Sequence, residues 1–364
     1  MKIAWAASAA LLIAVGSATG SLAEGQRMDS VSGNSYSASE AQGGVGLDQI
    51  RTLPTDVAPF PVVLEVDKGK YLKERPKIAV PSYAVSYITS AEARASSAGA
   101  GSASVNRSIR YNTALVGIDE AAMKQWADEA HKDLVDRLTK AGFDVVAAEA
   151  MRAVPDYGKV KWIEGNRTQD GQIIDGRAKK GWVVFGATDA PLITGMSMET
   201  GMAAIMSGQS AGALQNVGVD LDAMMVHPLL VLDYIAIQSS GNKMFSAKAN
   251  VSAETNFSIH PRSKVDFGYK VKRMPGTGYT GWMTIEDGFP SGEEFGVLRE
   301  VDDQSDSLVM HNAMALLGLG NSYKQKKILV VEPVPARYAA LVKAAYQGYN
   351  QAIVDGIVKA RAGG

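Results

Sequence analysis

A chain of 364 residues, 46% apolar and 21% charged, has an ordinary globular composition and the length to bury a core of its own. Its 37 basic and 38 acidic residues leave a formal charge of −1, which makes no electrostatic case for nucleic acid, and no basic amphipathic helix suits an anionic membrane surface. There is no cysteine, so disulfides, thiolate metal sites, a cysteine nucleophile and a lipidated cysteine are all excluded.

Residues 1–23 join Lys2, an apolar run from Ile3 to Val15 and the small-residue tail Ser21-Leu22-Ala23. That is the order of a secretory signal peptide, with Glu24 as the mature start. Residues 24–59 are polar, rich in Ser and Gly, and read as a flexible lead-in. One α/β (or α+β) domain is expected over 60–364, opening at Phe60-Pro61-Val62-Val63-Leu64. In KIAVPSYAVSYITS the burst Ile78-Ala79-Val80 and the alternation of Tyr83, Val85 and Tyr87 predict a strand. The small-residue segment 91–107 has little to bury and is expected to be a mobile loop.

A helix follows. Met123, Trp126, Ala127, Ala130, Leu134, Val135 and Leu138 recur at helical spacing, with Asp119 placed to cap the start and Gly142 to end it. Val145-Val146 resumes as a strand, so strand, helix and strand make a βαβ unit. Trp182-Val183-Val184-Phe185 and residues 228–238 read as buried strands. Segments 244–259, 265–273, 280–286 and 295–301 alternate apolar with polar between Pro/Gly turns and predict an antiparallel extension of a mixed sheet. KKILVVEPV is a last strand. After Pro335 a helix carries Tyr338, Leu341, Ala345, Tyr349, Ile353 and Ile357 on one face.

The one catalytic pattern is GQSAG at 208–212, the Gly-x-Ser-x-Gly of a nucleophile elbow. Ser210 would attack, and Asp306 with His311 would complete the hydrolase order Ser, Asp, His; His260 is the other candidate base. An elbow needs an apolar strand running into its first glycine, whereas Met202-Ala203-Ala204-Ile205-Met206 prefers helix. No His-Gly-Gly segment lies upstream to supply oxyanion donors. Serine hydrolysis is therefore the minority reading, and packing of small residues the main one. His131, in the first helix, reads as a surface residue.

Met196, Met198, Met202, Met206, Met224 and Met225 flank this motif. They fill a core, or form an adaptable contact surface, or line a site for a small apolar ligand. Asp220 and Asp222 lack a third ligand at metal-loop spacing, and no phosphate-binding glycine loop follows a strand, so neither metal nor cofactor is expected. Thr200 to Val219 is too polar for hydrocarbon, and no transmembrane helix is expected after the signal.

The run Ile78-Ala79-Val80-Pro81, the helix ending Leu134…Leu138…Gly142-Phe143, the strand Val145-Val146 and the later Leu232-Asp233-Tyr234-Ile235-Ala236-Ile237 resemble one family of envelope domains. It is the α/β domain shared by the curli-secretion lipoprotein, the lipoprotein activators of cell-wall synthases and the amino-terminal domain of the Tol translocation protein. These proteins mostly assemble, dock or export, and the resemblance carries over no functional residue. What it implies is a non-enzymatic protein of the periplasm or outer membrane, whose partner is an envelope protein or a second copy of itself.

Overall fold

The computed structural model describes residues 46–97, 107–169, 172–175, 178–194, 209–240, 250–274, 277–301 and 328–363. The expected signal segment, Met196, Met198, Met202, Met206, Asp306 and His311 lie outside them. The helices are α1 (Leu47–Arg51), α2 (Glu120–Lys140), α3 (Ala148–Arg152), α4 (Gln209–Leu221) and α5 (Pro335–Ala362). The strands are β1 (Glu65–Asp67), β2 (Lys77–Ala79), β3 (Ala84–Ser97), β4 (Arg107–Leu115), β5 (Asp144–Val145), β6 (Arg167–Thr168), β7 (Gln172–Asp175) and β8 (Ala178–Gly186). They continue with β9 (Ala223–Ser240), β10 (Asn250–Ile259), β11 (Lys264–Lys270), β12 (Gly278–Thr284), β13 (Phe289–Pro290), β14 (Gly296–Glu300) and β15 (Ile328–Pro333).

The strands make one mixed sheet whose main path runs β1-β12-β11-β9-β3-β4-β15-β14, with β8 beside β3 and β10 beside β9. β3 and β9 are parallel, as are β2 and β9, β2 and β5, and β4 and β15. The second-half pairings β9–β10, β9–β11 and β11–β12 are antiparallel, as the alternation predicts. β2 and β5 are parallel neighbours as the strand–helix–strand expectation requires, but the β3–β4 pair as well as α2 lies between them in the chain. Pro81 splits the first predicted strand into β2 and β3, since proline cannot donate to a ladder.

α2 forms as its spacing requires. Asp119 accepts from Ala121 N at 3.1 Å, and Gly142 takes φ +85° so that Phe143 N reaches Leu138 O. Met123, Ala127, Ala130, Leu134 and Leu138 are its buried stripe. α5 packs beside it, burying Tyr338, Leu341, Ala345, Tyr349, Ile353 and Ile357. Three buried tyrosine hydroxyls at this helix–sheet interface find acceptors: Tyr83 on Asn350 Oδ1 (2.7 Å), Tyr87 on Met123 O (2.9 Å) and Tyr349 on Lys264 O (2.6 Å). His131 is half-buried against the edge of Tyr83, not a free surface residue, and burial lowers its pKa.

The sheet is covered on both faces. Met224 and Val226 of β9 join the core beneath α2 and α5, while Ala223 and Met225 pack with Val217 of α4 and with Met151, Val154 and Tyr157. Alternate strand residues point to opposite faces, so α4 lies across the sheet from α2 and α5. This corrects the contact-surface expectation for two of the six methionines. Met224 and Met225 are buried and fill two separate cores.

Folded structure also begins ahead of residue 60. Ile50 of α1 is buried against Val297 and Val334. The stretch after it runs along α5 instead of entering the sheet: Phe60 N donates to Ala344 O at 3.2 Å, and a Cβ on Gly348 would lie 2.1 Å from Phe60 O. Of the span expected to be a mobile loop, 91–97 and 107 are strand, and 98–106 lie outside the described residues. Ala91–Ser97 continues β3, Arg107 opens β4, and the two strands pair as far as Ser97↔Arg107. Small side chains bury little, but backbone pairing needs no side chain.

Candidate functional site

Two long strands, β3 and β9, start side by side and then part. From Ala84↔Leu229 to Tyr87↔Leu232 they are parallel neighbours. At Thr89 the β3–β8 register slips by one residue, and from Ser90↔Ala114 onward β4 occupies the flank of β3 that β9 has left. β9 meanwhile goes on with β10, through Ile235↔Thr255 to Ser240↔Asn250. The sheet therefore forks.

Beside the fork Asp233, set within an otherwise apolar run, turns its carboxylate onto its own strand and accepts from Tyr234 N (2.8 Å) and Ile235 N (3.2 Å). Its second oxygen takes Lys180 Nζ at 2.5 Å, with both side chains 4% exposed. Lys180 belongs to β8, and its register partner on the intervening β3 is Ala91, small enough to let the side chain pass. On the other flank Thr113 Oγ1 and Tyr234 Oη lie 2.9 Å apart, joining β4 to β9. Burial raises the Tyr234 phenol above its ordinary value, so it stays neutral as a hydrogen-bonding group.

Beyond the fork each limb is a two-stranded ribbon. β8 leaves β3 at Ala93 and β15 leaves β4 at Asn112, so pairs Arg94↔Arg110 to Ser97↔Arg107 stand alone among the described strands. β9 past Asp233 pairs only β10 among the described strands. At about 3.3 Å per residue the two ribbons extend roughly 13 Å and 20 Å. Because β3 and β9 are parallel, they run the same way.

Ser210 is the second residue of α4, 6% exposed, and its Oγ accepts Lys161 N at 3.0 Å. Its φ is not positive, unlike those of Lys68, Asn166 and Asp222, so it lacks the strained backbone that lifts an elbow serine out of its turn. The hydroxyl ties α4 to the segment around Lys161. No described histidine hydrogen-bonds to it. His260 uses Nδ1 to accept Arg262 N (3.1 Å), and Asp306 and His311 lie outside the described residues. His227, which precedes Pro228 in β9, is 2% exposed, and its Nδ1 is buried without a partner. Burial lowers its pKa to about 4. Its register partner on β11 is Asp266, which pairs with Lys264 at 3.0 Å. Ser86, on the β3 stretch next to β9, and Ser82, just ahead of that strand, also carry buried hydroxyls without a partner.

No described group of three or more His, Asp or Glu side chains is placed to hold a metal ion. No helix among the described residues is long and apolar enough to cross a membrane. Asp220 and Asp222, weighed as cation ligands, meet arginines instead: Asp220 pairs with Arg273 and Asp222 with Arg75. Lys180 and Asp233 match no sequence motif, because no spacing rule joins residues on strands separated by a third. The available signal was a lone aspartate inside PLLVLDYIAIQ, a buried charge that demands a partner. Comparison with protein-family models, with curated proteins and with solved structures finds no match to the chain.

Proposed function

We propose that this protein is a non-enzymatic assembly or binding protein of a cell envelope, secreted through its leader and acting through protein–protein contacts at its two ribbons. In a bacterial host its place is the periplasm or the outer membrane. The observation that carries this reading is the pair of co-directional two-stranded limbs beyond the Lys180–Asp233 fork. A two-stranded ribbon is marginal in water, and each strand edge is a row of donors and acceptors ready for another strand. Neighbouring copies, or an envelope partner, would supply those strands by edge-to-edge pairing. The buried ion pair marks where the limbs part, and among the described strands neither limb has a further edge partner.

Crosslinking and size-exclusion chromatography of the mature protein test this directly. Oligomers, or a specific envelope protein captured by crosslinkers placed on the ribbons, are expected. A strict monomer that captures nothing from envelope extracts would overturn the reading.

A further inference from the structure

At the end of the sheet opposite the ribbons, the β11–β12 hairpin and the 3-10 turn Gly69–Lys73 form one surface. β11 runs antiparallel to β9, so its tip points away from the ribbon tips. Arg75 joins the two parts, donating to Lys270 O at 2.7 Å and Val271 O at 3.3 Å. Tyr71 packs on Tyr279 at 5.3 Å, and Tyr279 stacks on Tyr269 at the same distance.

Two independent features coincide there. Of the large apolar side chains exposed among the described residues, Val271 (54%), Met274 (52%) and Tyr279 (41%) all belong to this hairpin. Around them stand five cations, two of them paired with carboxylates and three not paired among the described residues. Arg75 is committed to Asp222, and Arg273 to Asp156 and Asp220. Lys70, Lys73 and Lys272 are exposed and pair with no carboxylate among the described residues; Lys70 lies over the Tyr71 ring at 5.3 Å. Glu74, which closes the turn, is the adjacent acid and leaves the set net positive.

We propose that this pole docks on an anionic lipid surface. Val271 and Met274 enter the boundary between headgroups and acyl chains, and Lys70, Lys73 and Lys272 meet lipid phosphates. Each component suits one layer of such an interface: aliphatic tips below, amphipathic tyrosines at headgroup level, ammonium groups on flexible stems above. A polar glycan would leave Val271 and Met274 in water, and a neutral apolar partner would leave the lysines uncompensated. The site is discontinuous in sequence, which is why no basic amphipathic helix announces it.

Vesicle flotation tests the proposal on the purified mature protein, from Glu24 onward. The vesicles are pure phosphatidylcholine or phosphatidylcholine with about 30 mol% phosphatidylglycerol. Binding to the anionic vesicles alone is expected, falling with added salt. Each lysine contributes about 1 kcal/mol near such a surface, so a K70Q/K73Q/K272Q variant should bind at least about a hundredfold more weakly. A V271S/M274S variant should also lose binding at unchanged charge. All these positions are exposed, so thermal midpoints should match the parent. No binding to either vesicle overturns the proposal, as does equal binding to both. Unchanged binding by both variants would assign attachment to another surface, the ribbons included, and equally sinks it. Loss in the lysine variant alone would mean adsorption by charge without insertion, which contradicts the role of Val271 and Met274. Failure of the ribbons to assemble would leave these results unaltered.

Discussion

Lys180 and Asp233 meet at 2.5 Å across an intervening strand, and the same carboxylate accepts from the N–H groups of Tyr234 and Ile235 beside the fork in the sheet. Removing only the cation leaves a buried carboxylate without its counter-charge. Lys180→Met should therefore cost about 3–5 kcal/mol in urea denaturation. Adding Asp233→Asn, which keeps an acceptor oxygen for the N–H groups without the charge, should recover much of the loss. A double variant as unstable as Lys180→Met alone would show that charge neutralisation is not what the pair provides.

His227 should make the fold acid-sensitive. Its folded pKa of about 4 lies below the ordinary value of 6.5, so the unfolded chain binds the extra proton between those limits. The contribution is complete above the ordinary value and is lost as pH falls toward the folded one, amounting to about 3 kcal/mol at about 1.4 kcal/mol per unit. Asp266 and Lys264 are the charged neighbours on β11. In thermal melts compared near about pH 7.5 and about pH 4.5, His227→Leu should narrow the difference in midpoint, whereas an unchanged difference would place the sensitivity elsewhere.

Ser210→Ala should cost about 1 kcal/mol, because Lys161 N–H loses its buried acceptor. The parent protein should not react with a fluorophosphonate probe. Labelling that disappears in Ser210→Ala would restore the hydrolase reading.

Gly348→Ala places a methyl group against Phe60 O. Either the 57–64 segment shifts or the helix does, and a loss of about 2–4 kcal/mol is expected. A midpoint unchanged from the parent would mean the segment is not held there in solution.

Shortening a ribbon separates assembly from folding. Replacing residues 95–109 by Asn-Gly joins Arg94 to Arg110, facing partners in the present register, through a two-residue hairpin turn. Denaturation should be nearly unchanged, since the removed pairs lie beyond the sheet's other described strands. Oligomers or crosslinked partners should be lost. Assembly identical to the parent's would rule this ribbon out.

What could be read in advance followed local chemistry. The α2 stripe, the Asp119 cap and the Gly142 stop are written in consecutive residues, and so is the alternation of β10 to β12. Residues 91–97 and 107 misled because small side chains carry no burial signal while their backbone still pairs. Met224 and Met225 misled in the opposite direction: neighbours in a strand point to opposite faces, so a cluster in sequence became two cores in space. The Lys180–Asp233 pair and the Lys70–Lys272 surface join segments far apart in the chain, and only the register of the sheet brings them together.

The parallel run of β3 and β9 also has a mechanical meaning. The ribbon tips lie at one end of the sheet and the β11–β12 tip at the other, so a pull between them is directed along the strand axes. β9 and β11 would have to slide past each other, loading every bond from Lys264↔Leu229 to Gly268↔Met225 at once instead of opening them one by one from an end. If both proposed contacts form at once, the load between them falls on this ladder in shear.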